Sequence, residues 1–357
     1  MAATHRLVRL RLAEGSELAR HVLVMGARLA KGGGFARRFM PSVLKRRLRN
    51  AELQTSNAQP DEVRLQIYKT LISACWLADQ KHLMLLILRS LNIADEMGTA
   101  ESIAGAYAVM GFTLDHVGWS RLAKRYSDKA LSFADRTSSA ATVGLVYYFR
   151  SEHNFFKANW TEAEQAFLKA REASDGAGDL LFWASASKML CEMWSETGDF
   201  TRVLAFAGEM IDLGRDAAFQ PALRWGFSAR GKAMRRLGQR QQARSDLEES
   251  LRLGIVSRDC IDIACAAGEL ALCILVQDGP DAAEELLERI QHELSSIRIL
   301  PHTIWAIYLA AAEISLKRLE AEPFANGDVY RKAQLSCAKA SQWARRYPFA
   351  RAGRVTT

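Results

Sequence analysis

Gly226-Phe227-Ser228-Ala229-Arg230-Gly231-Lys232-Ala233 is the stretch of this sequence whose residue types and spacing match a reaction-bearing motif. Two glycines flank a four-residue gap and a lysine follows the second, the spacing of a loop that cradles phosphate oxygens with backbone amides. Ala233 stands where such a loop carries the Ser or Thr that holds magnesium. A working phosphate loop follows a strand and opens a helix, so that unbonded amides face the ligand. The spacing of small residues around Gly231 places it inside a helix, its amide bonded along the helix axis, and nucleotide binding is not expected there. Gly26 to Gly34 is glycine-rich but has neither that spacing nor a preceding strand.

Other chemistries find less support. The histidines His5, His21, His82, His116, His153, His292 and His302 form no i, i+4 pair and no Cys/His ligand spacing, so no metal site is expected. No Gly-x-Ser-x-Gly or Ser-Lys arrangement offers a nucleophile. Cys75, Cys191, Cys260, Cys265, Cys273 and Cys337 contain no CxxC, and no secretory signal precedes them; they read as small core residues in a reduced, cytoplasmic chain. Met25, Met110, Trp76, Trp183, Trp194 and Trp305 read as core positions. The sequence therefore assigns no catalytic residue, metal or cofactor. It also contains no apolar run of about 18 residues free of charge, the length a membrane span needs.

The net charge of +8 is unevenly placed. Residues 1–50 hold 12 Lys or Arg against Glu14 and Glu17, and the remainder holds 36 basic against 38 acidic residues. Arg37, Arg38, Lys45, Arg46, Arg47 and Arg49 end this basic, partly amphipathic segment. It reads as a helical linker, as a surface docking on an anionic membrane or an acidic neighbouring domain, or as a phosphate contact. Nucleic acid gains no support from aromatic interleaving or a DNA-binding helix pattern, and the Arg-rich, acid-poor composition also fits an organelle transit peptide.

The elements that position these residues show themselves through a forty-residue step. Leu83, Ala123, Ala163, Val203, Ala243 and Ala283 form one line of small or aliphatic residues. Gly118, Ala158, Gly198, Gly238 and Asp278-Gly279 form a turn line, and Gly111, Ser151, Cys191, Gly231 and Ala271 a second small line. A period of this size signals stacked supersecondary units. Each unit holds two helical patterns of roughly 16–18 residues, joined at the turn line and closed by a second short loop. The units fall at 61–97, 101–136, 141–176, 181–216, 221–256, 261–296 and Pro301 to Arg346, with Ala333 as the last counterpart of Ala283. Small residues let two helices of a pair approach, and Phe167, Leu247 and Leu287 fill the space between pairs. The fold expected is an all-α solenoid of about seven antiparallel helix pairs.

At Gly111, Gly118, Ala123, Ser127 and Ala130, and more fully at Gly231, Gly238, Ala243, Leu247 and Ser250, the chain resembles the tetratricopeptide repeat family. It departs from that family at Ser127, Val203 and Met210 and in its longer repeat. The long unit, with RLAKRYSDKALSFAD and ANWTEAEQAFLKAREASD, also looks like the helical-repeat region at the C-terminal end of bacterial multidomain signal-transduction ATPases, including those fused to class III adenylate-guanylate cyclases. The resemblance implies a non-catalytic array at 60–346, with a basic segment and linker at 1–59 and a tail at 347–357. It further implies that the first helix of each pair lines a concave groove. Counted from the small line, Phe112, Asp115, His116, Tyr148, Glu152, Phe156, Lys188, Glu192, Glu196, Lys232, Arg235 and Arg236 are the groove residues, aromatic and acidic early and basic from Lys232 onward. The expected partner is a protein or peptide. The other reading is a regulatory or sensor region of a signalling ATPase or nucleotide cyclase, docked on a fused or neighbouring catalytic domain and reaching the inner membrane face through residues 1–50.

Overall fold

The structure, a computed structural model, describes residues 65, 67–69, 71–72, 80–116, 118–295, 305–321 and 327–346. The basic residues Arg37 to Arg49, the linker and the C-terminal tail lie outside the described residues. Among the described residues all regular structure is helical. The helices are α1 (Gln80–Met97), α2 (Ala100–His116), α3 (Ser120–Ala134), α4 (Ala140–Phe156), α5 (Trp160–Gly176), α6 (Leu180–Thr197), α7 (Phe200–Asp216), α8 (Gln220–Arg236), α9 (Arg240–Ser257), α10 (Cys260–Gln277), α11 (Pro280–Ser295), α12 (Trp305–Ala321) and α13 (Gly327–Arg346). The all-α repeat reading holds, with the pair boundaries within a few residues of those expected.

The forty-residue step has a backbone cause. Gly118, Ala158, Gly198, Gly238 and Gly279 all adopt positive φ, between 59° and 96°, at the turn that joins the two helices of a pair. In the 278–279 dipeptide it is Gly279 that turns. Ala158 does so with a Cβ, which disfavours the left-handed region. Gly98, Gly178, Ala218 and Arg258 repeat the same geometry at loops between pairs, at multiples of forty residues, the loop at Ser138 being the one among the described residues that does not. Helix starts are secured where the sequence offers a short polar side chain. Asp179 accepts from Phe182 N, Asp199 from Arg202 N, and Asp259 from both Ile261 N and Asp262 N.

Small residues then set the packing. Ala123, Ala163, Val203, Ala243 and Ala283 are each fully buried, so equivalent positions occupy like environments. A Cβ on Gly231 would come within 2.7 Å of Leu247 Cγ and 3.1 Å of the Ala243 carbonyl oxygen, so α8 and α9 touch through the missing side chain. Phe167 and Leu247 are fully buried and Leu287 nearly so. Each such side chain contributes roughly 1.5–3 kcal/mol of transfer free energy.

The chain divides into two compact units, Met1–Phe149 and Arg150–Thr357, the division falling within α4. The core of the first gathers Ile87, Leu91, Ile103, Met110 and Leu114 around Tyr107 and Tyr126, whose rings lie 5.1 Å apart. Leu83 and Leu85 to Leu88 are all buried, as the apolar character of α1 requires. In the second unit, successive first helices α6, α8, α10 and α12 contact one another directly, besides contacting their own second helices. Helix α10 is by length and composition apolar enough to cross a membrane. In this fold it is packed among α8, α9, α11 and α12.

Candidate functional site

Layering of α6, α8 and α10 brings residues forty apart into contact, and their charges pair across that layer. Lys232 Nζ lies 2.8 Å from Glu192 Oε2 and 3.0 Å from Glu196 Oε1, both one repeat earlier. The Lys232 side chain is only 5% exposed, while Glu192 and Glu196 keep 24% and 21% of theirs. Burial works against the Lys232 ammonium, but Glu192, Glu196 and Glu269 outweigh it, and its pKa lies above the lysine range. Three residues on, Arg235 Nε donates to Glu269 Oε2 at 2.8 Å on α10. Burial raises the Glu269 carboxyl, and Arg235 and Lys232 more than reverse this, leaving it depressed. Glu313 on α12 lacks such compensation: burial raises it, against the pull of Arg235 and Arg236.

A second node joins three first helices at one carboxylate. Asp262 of α10 accepts from Arg224 Nε at 2.7 Å, from Trp225 Nε1 at 2.8 Å and from Lys188 Nζ at 3.1 Å. Arg224 and Trp225 come from α8, and Lys188 from α6, two repeats away. The Lys188 ammonium also lies over the Trp225 ring, 5.0 Å from its centroid. Burial disfavours charge on both Lys188 and Asp262, yet their mutual attraction holds the lysine high and, together with Arg224, holds the carboxyl low. Asp259, which also meets Arg224 at 3.3 Å, is pushed up by burial and by the neighbouring Asp262 charge. Between the two nodes, burial pushes the Cys265 thiol up to about 12, so it stays protonated and poorly nucleophilic.

These pairs revise the expected field of the groove. Lys188, Glu192, Glu196, Lys232 and Arg235 do come together on the first helices of the second unit. The expected switch from acidic to basic at Lys232 does not appear, because that charge is neutralised by the two carboxylates beside it. Arg236 is exposed at the end of α8. Glu152 is buried, and Phe156 stacks edge-on against Phe155 at 5.9 Å.

The remaining candidates fall in the first unit. Phe112 packs against His116 at 4.3 Å and Phe149 at 4.8 Å, and Tyr148 meets Phe149 at 5.4 Å. His116 Nδ1 donates to the Phe112 carbonyl oxygen at 3.0 Å. Asp115 is half-buried on the same helix.

The motif Gly226 to Ala233 lies wholly within α8. Its glycines serve close packing: a Cβ on Gly226 would meet Ile211 Cγ1 at 2.7 Å, and Gly231 faces Leu247. Its lysine is committed to Glu192 and Glu196. Arg224, Trp225, Asp259, Asp262, Glu269 and Glu313 escaped the sequence reading. A signal existed, since Asp262 and Glu269 are the two charged residues within the otherwise apolar α10.

No protein-family model matches the chain, and no curated protein matches it. Its fold is similar to that of a Signal Transduction ATPase with Numerous Domains (STAND) protein with a tetratricopeptide repeat sensor from Pyrococcus horikoshii, with a TM-score of 0.54 and 13% identity. That match covers 76% of this chain and 42% of the other, so the chain spans less than half the length of the STAND protein. It is also similar to a Rap protein solved in complex with Competence and Sporulation Factor, with a TM-score of 0.60 and 13% identity, covering 81% of this chain and 77% of that one. The fold is that of a tetratricopeptide-like helical repeat.

Proposed function

We propose that this chain is a non-catalytic scaffold that holds a protein segment or peptide against the first-helix layer of its second unit. The observation carrying this reading is the set of repeat-spaced ion pairs, Lys232 with Glu192 and Glu196, Arg224 and Lys188 with Asp262, and Arg235 with Glu269. Each side chain is fixed by a partner on another helix, yet Lys188, Glu192 and Glu196 keep an edge open to solvent. Polar groups fixed in advance lose little entropy when a partner docks, which is what a recognition surface requires. Because the signs are balanced locally, recognition rests on hydrogen bonds to these edges and on stacking against Trp225, and depends weakly on ionic strength. The fold shared with the Rap protein in its complex supports a partner of protein or peptide class.

The test is selection from a displayed random peptide library on the full chain, followed by binding to Trp225→Ala and Arg236→Glu variants. Selected peptides should lose at least about tenfold in affinity with Trp225→Ala, the loss expected of an aromatic anchor. Peptides that bind both variants as tightly as the parent would rule this surface out.

A second reading is favoured by the likeness to the STAND protein, of which this chain spans the smaller part: a sensor region regulating an ATPase or cyclase domain outside this chain. Coding sequence for such a domain beside or continuous with this one supports it. Its absence from the neighbourhood removes the support.

A further inference from the structure

Toward the C-terminal ends of the first helices in the second unit, the repeat step sets out a line of exposed side chains. Arg236 on α8, Val276 on α10 and Leu316 on α12 follow one another at intervals of forty residues. Arg236 is exposed, and Val276 and Leu316 keep 57% and 45% of their surface open to solvent. Leu237, the C-cap of α8, is exposed as well. A single exposed aliphatic is ordinary, but these stand at the same end of three helices that contact one another directly, and so form a continuous line. Arg236 lies one helical turn beyond Lys232, on the layer that carries the ion pairs. It is about 16 Å along α8 from Trp225, at 1.5 Å per residue.

Charge and spacing together define what fits this line. Glu196 and Glu269 are engaged by other cations, Glu196 by Lys232 and Glu269 by Arg235. Arg236 acts on the Glu269 and Glu313 carboxyls through its charge, and it makes no hydrogen bond or salt bridge among the described residues. An exposed guanidinium offers a planar fork of donors that a carboxylate meets with two parallel bonds. From there the line continues with two aliphatic side chains. Packed helices lie roughly 8–10 Å apart. Helices α10 and α12 approach closely, since a Cβ on Gly268 would come within 2.8 Å of the Ala306 backbone. A polyproline II chain returns to the same face every third residue, about 9.3 Å on. A β-strand does so at about 6.7 Å, and an α-helix reaches about 10.5 Å only at every seventh residue. The polyproline II repeat therefore matches the step of the line.

We propose that this line binds a polyproline II segment of a partner protein, with an acidic residue on Arg236 and apolar residues three and six positions away on Val276 and Leu316. The inference rests on the reading that the first-helix layer receives a peptide, and adds the conformation of that peptide and the order of its side chains. A polyproline II chain has no internal hydrogen bonds to break, and its prolines hold it in that form before docking, so little entropy is lost on binding.

Fluorescence anisotropy on the full chain tests it, with a capped, labelled Glu-Pro-Pro-Leu-Pro-Pro-Leu peptide and its reverse sequence, because the segment can lie in either direction. Saturable binding of at least one is expected. Arg236→Glu should weaken it at least about tenfold, as should Val276→Ser combined with Leu316→Ser, all at exposed positions. Replacing the glutamate of the peptide by lysine should restore binding to Arg236→Glu, which a general loss of structure would not allow. A Glu-Ala-Ala-Leu-Ala-Ala-Leu peptide should bind at least about tenfold more weakly. Trp225→Ala should leave the proline peptide's affinity unchanged. No saturable binding of either proline peptide, equal binding by the Arg236 or the double variant, or equal binding of the alanine peptide overturns the proposal. Library-selected peptides that depend on Trp225, found while both proline peptides fail to bind, would overturn it and leave the broader reading of the layer standing.

Discussion

Lys232 and Glu192 occupy equivalent places in successive repeats, forty residues apart in the chain, and their charged atoms lie 2.8 Å apart in the fold. The relationship follows from the step itself. Each residue comes one position after a small residue, Gly231 or Cys191, that lets its helix pack on its partner. A regular stack places such positions side by side, and opposite charges there become a bridge between units.

Lys232→Met leaves Glu192 and Glu196 facing each other with no cation between them. The expected loss of stability is about 3 kcal/mol, as when one member of a buried pair is removed. Adding Glu192→Gln and Glu196→Gln to Lys232→Met should recover most of it. Urea unfolding followed by circular dichroism measures both, and a single variant as stable as the parent would show that the bridge contributes nothing.

Gly231→Ala should cost about 1–3 kcal/mol, because its Cβ has no space against Leu247 and the Ala243 carbonyl. Gly105→Ala, in α2 where the added Cβ meets nothing within 4 Å beyond the backbone of its own helix, should be neutral or stabilising by about 0.5–1 kcal/mol. The thermal midpoint of Gly231→Ala should fall below the parent's and that of Gly105→Ala should equal or exceed it.

The turn line makes a paired prediction. Ala158 holds φ at 59°, where a Cβ is costly, so Ala158→Gly should stabilise by about 1 kcal/mol. Gly198→Ala, at φ 83°, should destabilise by a similar or larger amount. Equal midpoints for both variants and the parent would contradict the turn geometry.

Acid should loosen the array through specific carboxylates. Asp262 and Glu269 have depressed folded pKa values, so their contribution is complete above the unfolded value of about 4 and is lost as pH falls through the folded values. Lys188 and Lys232 have raised values, so their contribution is complete below about pH 10.4 and is lost only as pH rises through the raised values. Asp259 and Glu313, raised by burial, act with the opposite sign and offset part of the acid effect. Asp262→Asn should therefore be destabilised by about 3 kcal/mol near pH 7, with the gap closing as pH falls below about 4. Midpoints measured across pH 2–8 check this, and a gap that stays constant into acid would refute it.

The fold was legible in the sequence because the repeat is written in residues with a single structural use. A small residue where helices cross and a residue tolerant of positive φ where the chain turns leave few alternatives, so Ala123, Ala163 and Ala243 could be aligned without coordinates. The site was less legible. Counting from Gly231 places Lys232 on the first-helix layer but cannot say that Glu192 and Glu196 will neutralise it, since that depends on the angle between helices of different repeats. Asp262 was hidden for a related reason. Its partners Lys188, Arg224 and Trp225 come from two other repeats, and no local pattern encodes a contact that spans 74 residues.

Radical footprinting of the chain, free and bound to a library-selected peptide, tests the proposed surface most directly, because Trp225 reports on the Lys188–Asp262 node of the first-helix layer and Trp183, packed under Arg171 of α5, reports on a place outside that node. The expected result is strong protection of Trp225 on peptide binding, with Trp183 oxidised at its free rate. Saturating peptide that leaves Trp225 oxidised as fast as in the free chain would contradict the assignment of the first-helix layer as the binding surface.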